Sequence, residues 1–472
     1  MAIHGLHTRP LTEKRWASFL PCSLCIAFTV AVLILAGMGC GLVSKKQRGS
    51  VNVLLITIDT LRADHLGCYG YNRNTSPTID ALAEEGTRFD WVFAQRALTW
   101  PSLASIHLSQ YPVQHGVRTN GLMLRDEQVS LGTIFSESGY QTFAGAFNAS
   151  EQNWRGFPHV HKLRDDALAD KAVEWLDNAD DRPFFMWLHM MFPHAPYKNQ
   201  GKFTEQFDNG YTGDVDGSFE TLSDITNKRR EISETDLQHI VDLYDGEIAC
   251  TDAQVKKVLD KLEALGRLDD TLVVVTADHG EDLYDHNRYF YHLASVYDSS
   301  LRIPLVMRLP GQVAAGKSVD RLTASLDIAP TILDLAGMRK PDSFQGVSLV
   351  PFINGATAEG APVYAEWEDR MVIVRTPEDH YVYNPLDYHP FWDNQDPTAR
   401  YFVDTEELYD MTADPAQQNN IAQEHPEKLN VFRRNALAWA EKYGWKLGEF
   451  DKNPPKIAPE LQEQLEDLGY VF

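Results

Sequence analysis

The sequence predicts an α/β fold built on a mostly parallel sheet with helices on both faces. Two runs, residues 51–58 and 271–276, are almost continuously apolar and rich in β-branched side chains, which is typical of parallel strands buried on both faces. Residues 183–188 form a third run of this kind. Amphipathic helical patterns cover residues 77–86 and 166–179. Strands that alternate with helices in this way indicate a parallel sheet covered by helices.

Acidic side chains follow two of these predicted strands directly. Asp59 comes after the first strand, and Asp278 and His279 come after the strand at residues 271–276. Open α/β sheets place their sites at the carboxyl ends of the strands. Carboxylate oxygens and an imidazole nitrogen at one point suit a divalent cation. Each acid taken singly is also typical of a helix cap, so the metal-site interpretation requires that the strand ends meet.

A third candidate is a hydroxyl residue in front of a helix-forming run. Thr99 stands two residues before Pro101, and proline favours the first position of a helix. We therefore expect Thr99 at or beside the N-cap, where free backbone N–H groups and the positive end of the helix dipole point outward. An oxygen held there could attack an anionic ester. The alternative is that Thr99 only caps the helix.

Composition and charge limit the possible partners. The chain has 472 residues, and 43% of them are hydrophobic, which is enough for a large core. The formal net charge is −24 at pH 7. This strongly acidic balance argues against a nucleic acid partner, which would require a basic surface.

The N-terminal segment, residues 1–48, has the pattern of a signal peptide or a membrane anchor. Basic residues precede an apolar run at about residues 17–43, and Lys45, Lys46 and Arg48 follow it. Residues 35–40 loosely resemble a bacterial lipoprotein cleavage site. A buried core helix is the alternative. We expect an exported protein of the periplasm or cell envelope, either membrane-anchored or a lipoprotein.

Several short motifs span nearly all of the chain after the N-terminal segment. They are residues 59–70, residues 99–102 with 111–117, and residues 193–197, 277–281, 301–305, 327–331 and 407–410. Together, and in this order, they resemble the sulfatase family within the alkaline phosphatase superfamily. The resemblance implies an alkaline-phosphatase-like mostly parallel sheet sandwiched by helices, with a smaller C-terminal α+β subdomain.

The resemblance also implies roles for individual residues. Asp59, Asp278 and His279 would bind the metal ion, and Thr99 would be the nucleophile that also touches it. Thr60 occupies a position that supplies a further metal ligand in some relatives. The cofactor implied is one divalent metal ion, either Ca, Mg, Mn or Zn.

Three histidines match positions of the family that contact the ester oxyanion or protonate the leaving group. These are His115, His194 and His292, and for each the alternative is an ordinary surface or core histidine, with His292 balanced evenly between the two. By contrast, His189 is predicted to pack on a strand. His286 lies in a polar loop and receives no role.

The nucleophile segment departs from the pattern of sulfatases that form formylglycine. Those begin with Cys or Ser, whereas this chain has Thr99, and Leu103 replaces the arginine of the pattern. We therefore expect no formylglycine. A threonine ester cannot expel its sulfate by collapsing to an aldehyde and must be cleared by attack at the bound group. This chemistry leans toward phosphoryl transfer, while the overall resemblance leans toward sulfate esters.

The predicted organisation has three parts. Residues 1–48 are the signal peptide or anchor, residues 49–355 the sulfatase-like catalytic domain, and residues 356–472 a C-terminal subdomain with an antiparallel sheet and a helix near residues 426–443. Residues 208–234 are polar and glycine-dotted, which indicates a surface insertion near the site.

These features together predict a metal-dependent hydrolase that cleaves sulfate or phosphate esters by attack of Thr99. Its partner would be an anionic ester, namely a sulfated or phosphorylated glycan, lipid or small molecule. Two alternatives stay open. One is a phosphotransferase or phosphodiesterase that acts on an envelope glycan or lipid. The other is a non-catalytic binding protein that kept the fold.

Overall fold

The computed structural model describes residues 50–446, apart from residues 148–153, 209, 287–289, 293–294, 358–359, 368–369 and 387–403. Within this part of the chain, no helix is long and apolar enough to cross a bilayer. The segment predicted as a signal peptide or anchor, residues 1–48, lies outside the described residues, so that expectation stays a prediction.

A large sheet forms the centre of the molecule, and a smaller sheet lies toward the C-terminus. The strands are β1 Asn52–Ile58, β2 Thr87–Phe93, β3 Gln141–Ala146, β4 Val160–His161, β5 Phe184–Met190, β6 Thr271–Ala277, β7 Asp282–Leu283, β8 Phe290–Tyr291, β9 Arg302–Ile303, β10 Leu305–Arg308, β11 Lys317–Ala324, β12 Val363–Trp367, β13 Met371–Arg375, β14 Asp379–Tyr383 and β15 Glu406–Asp410.

The helices lie between these strands. They are α1 Pro77–Glu85, α2 Thr99–Leu108, α3 Pro112–His115, α4 Leu131–Glu137, α5 Asp165–Asn178, α6 Lys202–Glu205, α7 Phe219–Thr226, α8 Glu234–Ala264, α9 Asp298–Leu301, α10 Ile328–Leu335, α11 Val350–Ile353 and α12 Pro426–Lys442. Short 3₁₀ turns cover Ala63–His65, Gly67–Tyr69, Leu268–Asp270, Ser325–Asp327 and Ala422–Glu424.

The large sheet is mostly parallel, as predicted. Its strand order is β11-β2-β10-β6-β1-β5-β3-β4, with β9 paired to β2. Strand β1 pairs in parallel with β6 on one side and with β5 on the other. Every residue of these three strands is buried, which agrees with their continuous apolar sequences. Strand β10 departs from the pattern because it runs antiparallel to both β6 and β2.

The predicted elements agree with the structure to within a few residues at their ends. The segment at residues 208–234, predicted as a surface insertion near the site, includes regular structure. It contains α7 and leads into α8, which has 31 residues. The N-terminus of α8 is stabilised by a capping box in which Ser233 and Asp236 bond each other's backbone N–H groups.

The smaller sheet is antiparallel, with the order β12-β13-β14-β15. Side chains of β13 alternate between its two faces, as the pleat of a strand requires. Met371 and Ile373 pack with Phe93 and Leu301 of the main body, whereas Val372 and Val374 pack in the same cluster as residues of α12. The sheet therefore lies between the main body and α12. The boundary predicted near residue 355 stays a prediction.

Candidate active site

Three neighbouring strands of the large sheet end at one point. Ile58 of β1 is the partner of Ala277 of β6 and of Met190 of β5. Asp59, which follows β1, therefore lies beside Asp278, which follows β6. Both side chains are fully buried. The strand ends meet as the metal-site interpretation required.

The two carboxylates differ in their hydrogen bonds and in their pKa values. Asp278 Oδ1 accepts hydrogen bonds from the backbone N–H groups of Thr60 at 3.2 Å and of His279 at 2.7 Å. Burial, followed by the nearby charge of Asp59, raises the pKa of Asp278 well above its usual value. For Asp59, burial also opposes ionisation, but His194 and His189 nevertheless hold its pKa below the usual value. Two buried carboxylates in contact thus favour a positive charge between them.

The imidazole of His279 turns an unprotonated nitrogen toward these carboxylates. His279 Nδ1 lies 2.9 Å from the carbonyl oxygen of Gly280, and only an N–H group can bond to a carbonyl. The hydrogen is therefore on Nδ1, and Nε2 carries a lone pair. Nε2 lies 3.4 Å from Asp278 Oδ2 and 3.8 Å from Asp59 Oδ1. Burial, and next the neighbouring His292, lowers the pKa of His279 well below its usual value, so the ring is neutral.

These residues fit a divalent cation. The ligand atoms of Asp59, Asp278 and His279 lie within 4.8 Å of one another, and no other group of this kind occurs in the part of the chain that the structure describes. Both oxygens of Asp59, Oδ2 of Asp278 and Nε2 of His279 are buried and lack hydrogen-bond partners among the described residues. A cation among them would satisfy all four atoms and remove the repulsion between the carboxylates.

Thr99 is the first residue of α2, and Leu98 is the N-cap. We had expected Pro101 at the first position of the helix, but it is the third residue. The hydroxyl of Ser102, one turn along, donates to the carbonyl of Asp278 and holds the first turn of α2 at the end of β6. Thr99 Oγ1 is buried and has no hydrogen-bond partner among the described residues.

The prediction that free backbone N–H groups point outward at the start of α2 is wrong for residues 100–102. The N–H of Trp100 donates to Asn120 Oδ1 at 2.9 Å, and Pro101 has no N–H. The N–H of Ser102 bonds the carbonyl of Leu98 at 3.0 Å. Stabilisation of an ester's charge here therefore depends on the helix dipole and on side chains rather than on a row of amide donors.

Thr60, which follows Asp59, has an unusual backbone conformation. Its φ is 55°, in the left-handed region that β-branched residues rarely adopt. The hydroxyl of Tyr244 donates to the carbonyl of Thr60 at 2.7 Å and accepts from the N–H of Arg62 at 3.1 Å, which holds this conformation. Thr60 Oγ1 is buried without a hydrogen-bond partner in the described part of the chain. The strained turn is consistent with the ligand role predicted for Thr60.

His194 and His292 lie next to the acidic cluster. The ring of His292 is centred 4.3 Å from that of His279 and 5.3 Å from that of His194. His292 Nδ1 lies 2.8 Å from Glu281 Oε1. Burial and then His194 lower the pKa of His292 to about 3, while burial raises the pKa of Glu281 to about 8. Both groups are therefore neutral near pH 7 and share one hydrogen bond.

His115 is held in a different environment. Its Nδ1 accepts from the N–H of Val117 at 3.1 Å, and its Nε2 lies 3.1 Å from Ser105 Oγ. Burial lowers the pKa of His115 to about 3. Both ring nitrogens are engaged by the protein, so contact of His115 with the ester stays a prediction.

Two buried residues at the site had received no chemical role from the sequence. His189 lies on β5, as predicted, but its Nε2 approaches Asp59 Oδ2 at 3.4 Å. Glu281, three residues after Asp278, holds His292. A histidine near the end of a buried strand beside β1 was the available signal for His189. Glu281 had no such signal, because its partner comes from another loop.

The fold agrees with known structures over most of the chain. A structure of a protein in complex with its substrate D-glucosamine-2-N,6-O-disulfate has a TM-score of 0.70 at 22% identity and covers 86% of this chain and all (100%) of that one. The phosphonate monoester hydrolase of Agrobacterium radiobacter has a TM-score of 0.68 at 22% identity, over 83% of this chain and 96% of that one. The chain thus has the α/β fold of the alkaline-phosphatase type, with a mostly parallel central sheet.

Sequence comparisons identify the family. A model of the sulfatase family matches residues 51–338, and one described as N-sulphoglucosamine sulphohydrolase, C-terminal, matches residues 286–435. N-acetylglucosamine-6-O-sulfatase of Bacteroides thetaiotaomicron is 26% identical, over 83% of this chain and 86% of its own length. Delta 4,5-hexuronate-2-O-sulfatase of that bacterium is 27% identical, over 84% and 90%. The chain belongs to the sulfatase family and is a sulfatase-like hydrolase.

Proposed function

We propose that this hydrolase cleaves a sulfate or phosphate ester by direct attack of the Thr99 hydroxyl, at a site that holds one divalent cation. The observation that carries the proposal is the lone pair of His279 Nε2, which faces the buried carboxylates of Asp59 and Asp278. A cation between the nitrogen lone pair and the carboxylate oxygens stabilises this arrangement. The unpaired hydroxyl of Thr99 supports the assignment of the nucleophile.

The residues that would hold the cation are Asp59, Asp278 and His279, with the hydroxyls of Thr60 and Thr99 as further oxygen ligands. When bound, such a cation lowers the pKa of a ligand hydroxyl and polarises the ester. Carboxylate, hydroxyl and imidazole ligands together suit Mn or Zn better than Ca, which prefers oxygen ligands alone.

The reaction would then take place in two displacements. The oxygen of Thr99 bonds to phosphorus or sulfur as the bond to the leaving oxygen breaks, and the hydroxyl proton passes to water. The leaving oxygen takes up a proton, and His194 is the imidazole of the cluster placed to deliver it, while the neutral His292 can hydrogen-bond to the ester. Water next attacks the phosphorus or sulfur atom of the ester on Thr99, which restores the hydroxyl and releases the inorganic anion.

Within this mechanism, a phosphate ester is the better substrate on chemical grounds. Threonine is not converted to formylglycine, and a threonine sulfate has no aldehyde to collapse to. The phosphonate monoester hydrolase among the structural neighbours shares the fold and cleaves a phosphorus ester, as its name states. The sulfatases among the relatives support the alternative, a sulfate ester.

The names of the relatives also support a saccharide as the alcohol part of the substrate. Two of them are named for sulfate on glucosamine or hexuronate, and one structural neighbour holds a glucosamine disulfate. We therefore infer an anionic glycan ester outside the cytoplasm, with residues 1–48 as the export signal or membrane anchor. A lipid or small-molecule ester, transfer to an envelope acceptor, and a non-catalytic binding role are the competing proposals.

A comparison of matched substrates tests the proposal. The protein from about residue 49 onward, loaded in turn with Ca, Mg, Mn and Zn, is assayed on an aryl sulfate, an aryl phosphate and an aryl phosphodiester. We expect turnover of a phosphorus ester that depends on the metal and is lost in Thr99→Ala and Asp278→Ala. Dominant sulfate cleavage would contradict the preference for phosphorus. Metal binding without turnover of any ester, including glycan esters, would favour the binding protein.

A further inference from the structure

A chain of polar contacts leads from the core of the sheet to Asp59. Trp187 and His189 lie on β5, and Thr57 lies opposite His189 on β1. Trp187 Nε1 donates to Thr57 Oγ1 at 3.0 Å, and Thr57 Oγ1 lies 3.0 Å from His189 Nδ1. His189 Nε2 then lies 3.4 Å from Asp59 Oδ2. All four side chains are fully buried, so bulk water does not compete with these contacts.

The donor and the acceptor of each contact follow from Trp187, the first residue of the chain of contacts. An indole nitrogen can only donate, so Thr57 Oγ1 accepts from Trp187. If the hydroxyl of Thr57 donates in turn to His189 Nδ1, every hydrogen in the chain has an acceptor. In the reverse arrangement, the hydroxyl hydrogen of Thr57 would be buried without an acceptor among the described residues, which is unfavourable. The ring hydrogen of His189 is therefore on Nε2, which faces Asp59.

His189 and His279 thus approach the same carboxylate with ring nitrogens in different states, one protonated and one unprotonated. His279 turns its lone pair toward Asp59 Oδ1, and His189 turns its N–H toward Asp59 Oδ2. Asp59 Oδ1 faces the proposed cation, and Asp59 Oδ2 lies 3.4 Å from the N–H group of His189, a polar contact longer than an ordinary hydrogen bond. Because its Nε2 carries the hydrogen, His189 is not itself a ligand.

From this geometry we propose that His189 is a positioning residue, which holds the Asp59 carboxylate in the orientation that binds the cation, with Thr57 and Trp187 fixing its ring. The inference rests on the proposed cation site. Residues that hold a metal ligand by a hydrogen bond commonly change metal affinity about 10- to 100-fold when they are replaced.

The direct test is the dissociation constant for Mn or Zn, measured by competition with a chelator on the purified protein. His189→Phe keeps a buried ring but removes the donor, and it should weaken binding about 10- to 100-fold. His189→Gln places an amide N–H near the position of Nε2 and should recover most of the affinity. Thr57→Val, which leaves the ring free to choose the other tautomer, should also weaken binding. Thermal unfolding of the metal-free variants checks that each one folds.

His107→Phe is the matched control. His107 is buried in the same aromatic cluster, with its ring centred 4.5 Å from that of Trp187, and its nitrogens have no hydrogen-bond partner in the described part of the chain. Its replacement should leave the metal affinity unchanged. A loss of affinity equal to that of His189→Phe would show that disturbance of the cluster, not loss of the donor, weakens the site.

The outcomes separate this inference from the proposed function. If the wild type binds none of the metals, both are overturned. If the wild type binds metal and His189→Phe binds it as tightly, only the positioning role is overturned. The visible absorption of the cobalt-loaded protein gives a further readout, because a change of ligand number changes its spectrum. An unchanged spectrum in His189→Phe supports positioning, and a spectrum of altered coordination would make His189 a ligand.

Discussion

Two buried carboxylates, those of Asp165 and Glu247, accept hydrogen bonds from the backbone of the segment that carries His194. Asp165 Oδ1 accepts from the N–H groups of Met191 at 2.9 Å and Phe192 at 3.3 Å. Glu247 Oε1 accepts from the N–H of Lys198 at 2.9 Å. Burial raises the pKa of Asp165 to about 6 and raises that of Glu247 well above its usual value. The charge state of these acids therefore affects the stability of the segment beside the site.

Glu247→Gln should become more stable relative to wild type as the pH rises. The folded protein keeps the proton on Glu247 to a higher pH than the unfolded chain, whose carboxyl ionises near 4.5. Wild type therefore loses about 1.4 kcal/mol per pH unit above that value, until the folded carboxyl ionises, and the amide does not. Urea midpoints at about pH 5 and about pH 8 measure the difference. The exposed Glu263→Gln on the same helix is the control, and an equal pH trend in both variants would contradict the prediction.

At the residue scale, the sequence revealed the groups that stand directly at strand ends. Asp59, Asp278 and His279 were predictable because a strand end places its next side chain at the edge of the sheet. The chemical role of His189 was not, because its tautomer is set by Thr57 on another strand. The same holds for Glu281, whose partner His292 becomes a neighbour only through folding of a loop.

The helix that carries Thr99 is fixed at both of its ends by serine hydroxyls. Ser102 donates to the carbonyl of Asp278, next to the site. Ser109, which follows the helix, donates to the carbonyl of Leu326 at 2.6 Å, away from the site. The two bonds are alike in chemistry and differ in what they position. They therefore provide a matched pair for separating catalysis from stability.

Ser102→Ala should lower the free energy of unfolding by about 1 kcal/mol, since it loses one buried hydrogen bond. Ser109→Ala should lower it by about 2 kcal/mol, since Ser109 Oγ also accepts from the N–H of Gly346 at 2.9 Å. Only Ser102→Ala should also lower kcat, by roughly 10- to 100-fold, because a small displacement of Thr99 misaligns its attack. Urea unfolding and initial rates on the best ester measure both quantities. Equal kcat values for the two variants would show that the bond of Ser102 does not position the nucleophile.

At the element scale, the strands and helices that follow simple apolar periods were predictable, and α8 was not. Several of the positions that α8 buries carry acidic side chains, which interrupt the apolar stripe that marks a helix in sequence. These acids are satisfied by distant groups. Asp242 and Asp245 pair with Arg73, and Asp252 accepts from the first N–H groups of α1. Such partners are visible only after folding.

The C-terminal sheet contacts the segment that leads into the nucleophile helix. The N–H of Glu366 on β12 donates to the carbonyl of Gln95 at 3.0 Å. The carboxylate of Glu366 pairs with Arg96 at 3.2 Å, and both side chains are almost fully buried. The guanidinium of Arg96 also lies over the ring of Trp367, 4.8 Å from its centre. The smaller sheet thus supports the approach to Thr99.

Glu366→Ala should lower the free energy of unfolding by about 3–5 kcal/mol, because it removes one partner of a buried ion pair. The double variant Arg96→Met, Glu366→Leu removes both charges and should recover most of that loss. Urea unfolding of the two variants and wild type gives the comparison. If the double variant is as unstable as the single one, the loss comes from packing rather than from breaking the ion pair.

For the whole molecule, the central claim is that Thr99 itself forms the covalent ester during turnover. The most direct measurement is rapid acid quenching of the metal-loaded protein with a phosphorus-labelled ester, followed by mass spectrometry of the peptide that contains Thr99. We expect a phosphoryl group on Thr99 in the wild type, with burst kinetics, and none in Thr99→Ala. An unmodified Thr99 under conditions of full turnover, or an unchanged rate in Thr99→Ala, would contradict the claim and leave the attack to water.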